Sequence, residues 1–316
     1  MQKTISIIVP VYNEEKNIPL LKGALSDVFS SLPYDYEIIF VDDGSKDFSQ
    51  LAIETLTRAD KRVKSIEFSR NFGKEVATSA GLQYSTGDAA IMIDADLQHP
   101  VSLIPQFIRR WENGADVVIG LRTKNNGQSL IKSICSFLYY KIINAISETP
   151  IEPGATDFRL VDRKVINEFN RFTEHERMTR GLIDWLGFKR EFIKFETNER
   201  VNGTASYSYL KLIKPALSSS VSHSMFPLRI AGYLGIWIVT ISGIGGLVVF
   251  AQRYLFNEVF SWHISGSAQL AILMIFFIGV VLSCLGLIAL YIGNIHNEVS
   301  GRPLYSVRSM GNIKRK

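Results

Sequence analysis

Two acidic clusters stand at the ends of strand-like runs. Asp42-Asp43-Gly44-Ser45 follows the apolar run Glu37 to Val41, and Asp94-Ala95-Asp96-Leu97-Gln98 follows Ala89 to Ile93. In Asp94-x-Asp96 both carboxylates can reach a common point once the strand breaks into a turn, and hard oxygen donors suit Mg2+ or Mn2+. A divalent ion held this way points in turn to a diphosphate. A lone pair of this kind can be a solvated turn, but two matched clusters on neighbouring strand ends, with Gly44 and Gly73 at turns, favour a ligand site. The chain has no G-x-x-x-x-G-K-[ST] loop and no G-x-G-x-x-G after a strand, so Walker-type ATP hydrolysis and dinucleotide binding lose support. His175, His223, His263 and His296 lack zinc-ligand spacing. His99, beside Pro100, reads as turn packing.

The elements that must hold these clusters alternate regularly. Thr4 to Val9, Tyr36 to Val41, Val63 to Phe68, Ala89 to Ile93 and Asp116 to Ile119 carry the strand signal, with helical patterns between them. Asn13 can cap a helix with Ile18, Leu21, Leu25, Val28 and Leu32 on its apolar face. This alternation predicts an α/β fold with a mostly parallel sheet covered on both faces and a ligand crevice at the carboxyl ends of the strands. A further apolar helix is expected from Gln128 to Ser147, either in the core or resting on a membrane surface.

The C-terminal third differs in composition. Ile230 to Gln252 and Ile264 to Ile295 contain no charged residue, and each is long enough for the roughly 30 Å of a hydrocarbon core. Two membrane spans are the expectation. Lys211, Lys214 and Arg229 before the first, and Arg302, Arg308, Lys314, Arg315 and Lys316 after the second, place both termini on the cytoplasmic face of an inner membrane. The expected organisation is a catalytic domain over 1–204, an amphipathic juxtamembrane segment over 205–229, spans over 230–252 and 268–295 joined by an extracytoplasmic loop over 253–267, and a basic tail over 296–316. Four of the five net positive charges lie from Ile230 onward, which argues against nucleic acid as a partner. Two cysteines, Cys135 and Cys284, make no disulfide framework.

Five motifs in order carry a resemblance: Val9-Pro10-Val11-Tyr12-Asn13-Glu14-Glu15, Val41-Asp42-Asp43-Gly44-Ser45, Ser69-Arg70-Asn71-Phe72-Gly73-Lys74, Asp94-Ala95-Asp96-Leu97-Gln98-His99-Pro100 and Thr156-Asp157-Phe158-Arg159-Leu160. The chain resembles the inverting GT-A glycosyltransferases of family 2, in the polyprenyl-phosphate branch that holds dolichyl-phosphate mannose synthases and bactoprenol glucosyltransferases. That resemblance implies a nucleotide-sugar donor, a UDP-hexose in the glucosyl branch, and a polyprenyl phosphate acceptor in a lipid bilayer. It also implies a divalent ion and a homo-oligomer, since the family includes tetramers. Carried over residue by residue, Pro10, Tyr12, Glu14, Asp42, Asp43, Lys74, Asp94, Ala95, Asp96 and Gln98 would bind the nucleotide sugar. Asp94 and Asp96 would hold the metal, and Asp157 would be the general base, with Asp96 also catalytic. Arg122, Lys132 and Arg200 would meet the acceptor phosphate. Ser206 stands where relatives often have lysine, which puts one phosphate contact in doubt. Arg180-Gly181-Leu182-Ile183-Asp184-Trp185 echoes the Q-x-x-R-W signature of processive synthases only faintly. A processive polysaccharide synthase and a non-catalytic binding protein on a degenerate transferase fold remain the alternatives.

Overall fold

The computed structural model describes residues 2–123, 152, 154–174, 177–196 and 266–313. The chain divides into two compact units, one made of Met1–Ser206 with Arg302–Lys316 and the other of Tyr207–Gly301.

The first unit begins with strand β1 (Thr4–Val11), helix α1 (Asn17–Ser30), β2 (Asp35–Asp42), α2 (Ser49–Ala59), β3 (Val63–Phe68), α3 (Lys74–Tyr84) and β4 (Ala89–Met92). A short 3-10 turn at Val101–Leu103 leads into α4 (Ile104–Glu112) and β5 (Val117–Arg122). Then come β6 (Ala155–Asp162), α5 (Arg163–Phe169), α6 (Thr179–Trp185) and β7 (Arg190–Phe195). The second unit holds α7 (Gly266–Val299), and β8 (Val307–Gly311) returns to the first.

Eight strands form one sheet in the order β7-β5-β6-β4-β1-β2-β3-β8. β1 pairs in parallel with β2 and β4, β2 with β3, and β5 with β7. β6 runs antiparallel between β4 and β5, and β8 antiparallel on β3. The sheet is thus mixed, with β6 and β8 running against the other six strands; the strand signal of β6 was hidden in the Thr156-to-Leu160 motif.

Alternation along the central strands sorts the core into two layers. Ile5, Ile7, Val9, Ile38 and Phe40 face a cluster with Leu21, Leu25, Phe29, Ile53 and Phe107 from α1, α2 and α4. Ile8, Ile39 and Val41 face the other, with Ala77, Ala80, Phe169 and Leu182 from α3, α5 and α6. A strand buried on both faces must be apolar at both parities, as β1 and β2 are. On the second face α3 lies close to β1, because a Cβ at Gly81 would stand 2.2 Å from Cγ2 of Ile8. Ile18, Leu21 and Leu25 are buried in α1 as the periodicity predicts. Asn13 does not cap that helix. It adopts φ +58° in the preceding loop.

The expected pair of membrane spans, and with it the two-span inner-membrane placement, is corrected: among the described residues no helix is long and apolar enough to cross a membrane. A span needs about 20 consecutive, mostly apolar residues. The first expected span, 230–252, lies outside the described residues, and along α7, which covers the second, the described side chains form no such unbroken window. The helix expected over 128–147 and the juxtamembrane segment also lie outside the described residues.

One buried carboxylate ties the sheet together. Glu37 on β2 is 5% exposed; it pairs with Lys64 on β3, accepts from Ser6 Oγ on β1 at 2.6 Å, and takes the Thr86 amide at 2.7 Å. Burial alone would raise its pKa, but the donors around it outweigh burial and leave it below the ordinary value. Its ionised form therefore adds stability above the unfolded-state pKa, and that contribution is lost as pH falls through the lowered folded value. Glu37→Ala should cost about 3–5 kcal/mol, as expected when one partner of a buried ion pair is removed. Urea unfolding of the full chain at neutral pH checks this, and the difference from wild type should shrink toward acid pH.

Candidate active site

The loops at the carboxyl ends of β1, β2 and β3 are laced by their own polar groups. Asp42 accepts the Ser45 amide at 3.1 Å and the Ser45 hydroxyl. Asn13 joins this loop to its own: its amide donates to Ser45 Oγ at 3.0 Å, and its Oδ1 accepts the Lys46 amide at 2.8 Å. Gly44, at φ +68°, lets the 42–45 loop meet the next one, since a Cβ there would lie 2.6 Å from the carbonyl carbon of Arg70. Asp43 completes that junction by accepting the backbone amides of Phe72 at 2.6 Å and Gly73 at 2.9 Å. Burial raises the pKa of both aspartates, and these hydrogen bonds only partly offset it.

The junction matters because the next residue is Lys74, the first of α3. Its Nζ lies 2.6 Å from Asp94 Oδ1 and 2.8 Å from Asp157 Oδ2, joining the end of β4 to the start of β6. Burial works against the ammonium charge, but the two carboxylates win and hold it above the usual lysine range. Asp157 shows the reciprocal effect: burial would raise it, yet Lys74 above all keeps it below the ordinary value. Asp157 is therefore a carboxylate at neutral pH.

These three residues line an open cleft with Pro10, Arg159 and Arg180. Arg159 is 1% exposed and forms an ion pair of 3.0 Å with Asp184. It also donates to the carbonyls of Thr156 and Arg180. Beyond Asp94 the chain turns sharply. Leu97 sits at φ +61°, a conformation that costs a bulky residue roughly 1–2 kcal/mol, and the Gln98 amide donates to Asp96 Oδ1 at 3.1 Å. His99 stacks on Phe158 and meets Phe195 edge-on, so it packs as the turn demands.

The structure thus brings Pro10, Lys74, Asp94 and Asp157 into one cleft. Asp42, Asp43 and Ala95 are buried at its strand ends, and Tyr12 is exposed on the β1 loop. Glu14 lies in the same loop and takes the Asn17 side chain at 2.6 Å. Arg122 is exposed at the end of β5 and does not line the cleft. Lys132 and Arg200 lie outside the described residues. Sequence reasoning missed Glu75, Arg159, Thr179 and Arg180. Arg159 was visible in the motif that carries Asp157, whereas only the fold brings 179–180 beside it.

Asp94 and Asp96 are the pair expected to hold a divalent ion, and they follow the end of β4. Among the described residues no group of three or more His, Cys, Asp or Glu side chains could form a protein-only cage. A pair of carboxylates is instead the donor set of Mg2+-type ions that take their remaining ligands from substrate phosphates and water.

This architecture is a mixed α/β fold of GT-A-like type. Residues 6–169 match the family Glycosyl transferase family 2, and the chain belongs to that family. It is a glycosyltransferase. It is 39% identical over 98% of its length to "Uncharacterized glycosyltransferase YkcC" of Bacillus subtilis, covering 95% of that protein. It is 36% identical over 96% of its length to the bactoprenol glucosyl transferase of Shigella phage SfX, covering 99% of that protein. Among solved structures, mannosyl-3-phosphoglycerate synthase from Rubrobacter xylanophilus shares the fold, with a TM-score of 0.50 and 15% identity over 73% of this chain and 75% of that one.

The lattice of loop contacts gives a direct test. Asp43→Ala should remove both acceptors from the Phe72 and Gly73 amides, and each charged hydrogen bond is worth about 1.5–3 kcal/mol. Hydrogen exchange at these two amides should then speed by about tenfold or more, with the amides of β1 unchanged. Unaltered exchange at Phe72 and Gly73 would show that another contact holds the loop.

Proposed function

We propose that the chain transfers glucose from UDP-glucose to a polyprenyl phosphate, undecaprenyl phosphate being the natural probe, with inversion at the anomeric carbon. The observation that carries this reading is the placement of Lys74 between Asp94 and Asp157 in one cleft at the strand ends. The names of the full-length relatives supply the acceptor class.

In this reading Pro10, Tyr12, Glu14 and Asp42 bound the nucleotide, and Asp43 shapes that site through the 72–73 amides. Asp94 and Asp96, with Ala95 and Gln98 on the same turn, meet the diphosphate and would hold Mg2+ or Mn2+. When bound, such an ion supplies positive charge opposite the departing diphosphate. Lys74 adds a fixed ammonium there, which suits charge that grows in the transition state. An acceptor phosphate oxygen attacks the anomeric carbon. The new carbon–oxygen bond forms as the bond to the diphosphate breaks, and its electron pair leaves with UDP.

A phosphate monoester has its second pKa near 6, so most of the acceptor is already dianionic at neutral pH. Any residual proton goes to Asp157, whose ionised carboxylate also orients the attacking group. Arg122, Lys132 and Arg200 are the cations proposed for the acceptor.

Purified full-length protein incubated with labelled UDP-glucose, Mg2+ and undecaprenyl phosphate should give lipid-extractable label. Water-soluble polymer would favour a processive synthase, and no label from any of a panel of donors would favour a binding protein. Asp157→Asn should lower kcat by about tenfold or more, through loss of the charged hydrogen bond that holds Lys74 in the cleft. Asp94→Ala should abolish turnover with an unchanged unfolding midpoint. Full activity in Asp94→Ala would remove the proposed metal and diphosphate role.

A further inference from the structure

The cleft has a second wall, and its residues come from one side of the sheet. Asp157, Arg159 and Arg180 belong to β6 and α6. In the strand order, β6 lies on the opposite side of β4 from β1 and β2. The clusters proposed to meet the nucleotide end β2 and β4. Arg180, on α6, lines the same cleft as Asp157, and its charge acts on that carboxylate.

Among the described residues three cations line the cleft: Lys74, Arg159 and Arg180. Lys74 bridges Asp94 and Asp157 and is proposed to face the departing diphosphate. Arg159 is buried against Asp184 and acts on its neighbours, one of its bonds reaching the carbonyl of Arg180 itself. Arg180 is different. Arg180 is exposed, while its carbonyl takes that bond and the amide of the preceding residue, Thr179, donates to Glu75 Oε2 at 2.8 Å. Its charge also reaches Asp157 and, after Lys74, helps to keep that carboxylate ionised. A guanidinium lining the cleft, beside the proposed base, offers a planar fork of donors that matches phosphoryl oxygens.

Charge balance favours such a group there. A dianionic phosphate that attacks from this wall must approach two carboxylates, Asp94 and Asp157. Lys74 already answers those two, and Arg180 adds to the proposed acceptor cations one that lines the cleft beside Asp157.

We propose that Arg180 binds the phosphate monoester of the acceptor, holding oxygens other than the attacking one and so aiming that oxygen at the anomeric carbon. This rests on the acceptor class proposed above. Arg159 is then a positioning residue, setting Arg180 through its carbonyl. The segment Arg180-Gly181-Leu182-Ile183-Asp184-Trp185 thereby gains a role unrelated to any polymer channel.

The test uses the full-length wild type, Arg180→Gln and Arg180→Lys, with undecaprenyl phosphate in detergent and UDP-glucose as substrates. Initial rates give KM for each, and calorimetric titration of UDP-glucose with Mn2+ gives donor affinity without turnover. In Arg180→Gln the acceptor KM should rise about tenfold or more, the loss typical of a charged hydrogen bond. The donor KM and donor affinity should stay within about twofold, and Arg180→Lys should fall between Arg180→Gln and wild type. A weakened donor with an unchanged acceptor KM would overturn the proposal by making Arg180 a diphosphate ligand. Should Arg180→Gln fail to fold, Arg180→Lys carries the test, and an acceptor KM equal to wild type there overturns it. A wild-type chain that glucosylates no undecaprenyl phosphate overturns the acceptor reading and this proposal with it. An active wild type whose acceptor KM is untouched by Arg180→Gln overturns this proposal alone.

Discussion

The ammonium of Lys74 is the joint on which the cleft depends. It binds a carboxylate at the end of β4 and another at the start of β6, two strands that run in opposite directions. Without a cation between them, Asp94 and Asp157 would repel each other across a partly buried space where charge is weakly screened. With it, the two carboxylates stand close together. The position of Lys74 is itself set from outside the cleft, because Asp43 holds the two residues that precede it and α3 packs Ala77, Ala80 and Gly81 against the sheet. A buried aspartate in one loop thus fixes a lysine that orders two aspartates in others.

The same loop is secured from its other end by the last part of the chain. β8 pairs antiparallel with β3, and Ser306 accepts the Ser69 amide at 2.9 Å. Arg308 pairs with Glu67 at 2.8 Å and donates to the Ser69 carbonyl, while Tyr305 stacks on Phe68. A sheet edge left open would be a template for unwanted pairing; here the edge beside β3 is covered and the 69–73 loop gains an anchor. The residues expected as a basic tail therefore include a strand of the catalytic unit.

Much of the site was legible because its motifs are local. A carboxylate that follows a β-branched run lies at a strand end whatever the rest of the fold does, so Asp42, Asp43, Asp94 and Asp96 could be placed from spacing alone. The cores of α1 and of β1 to β4 were legible for the same reason, since burial on one or two faces imposes a period that the chain displays. β8 was not: Val307–Gly311 is short, and its partner lies some 240 residues earlier in the chain. Arg180 was not either, because seven-residue α6 carries no signal of which crevice it borders. Long uncharged runs proved a weaker guide, and the two-span reading drawn from them did not hold among the described residues.

The sequence by itself determined the class of chemistry and the order of the elements, because residue type, strand-end position and apolar period are properties of short stretches. Only the tertiary structure decided which charges share a cleft. Asp94 and Asp157 are separated by more than sixty residues, and Lys74 and Arg180 by more than a hundred. What unites them is the reversal of β6 beside β4 and the packing of α3 and α6 on one face of the sheet. Electrostatic coupling falls with distance in space and is indifferent to distance along the chain.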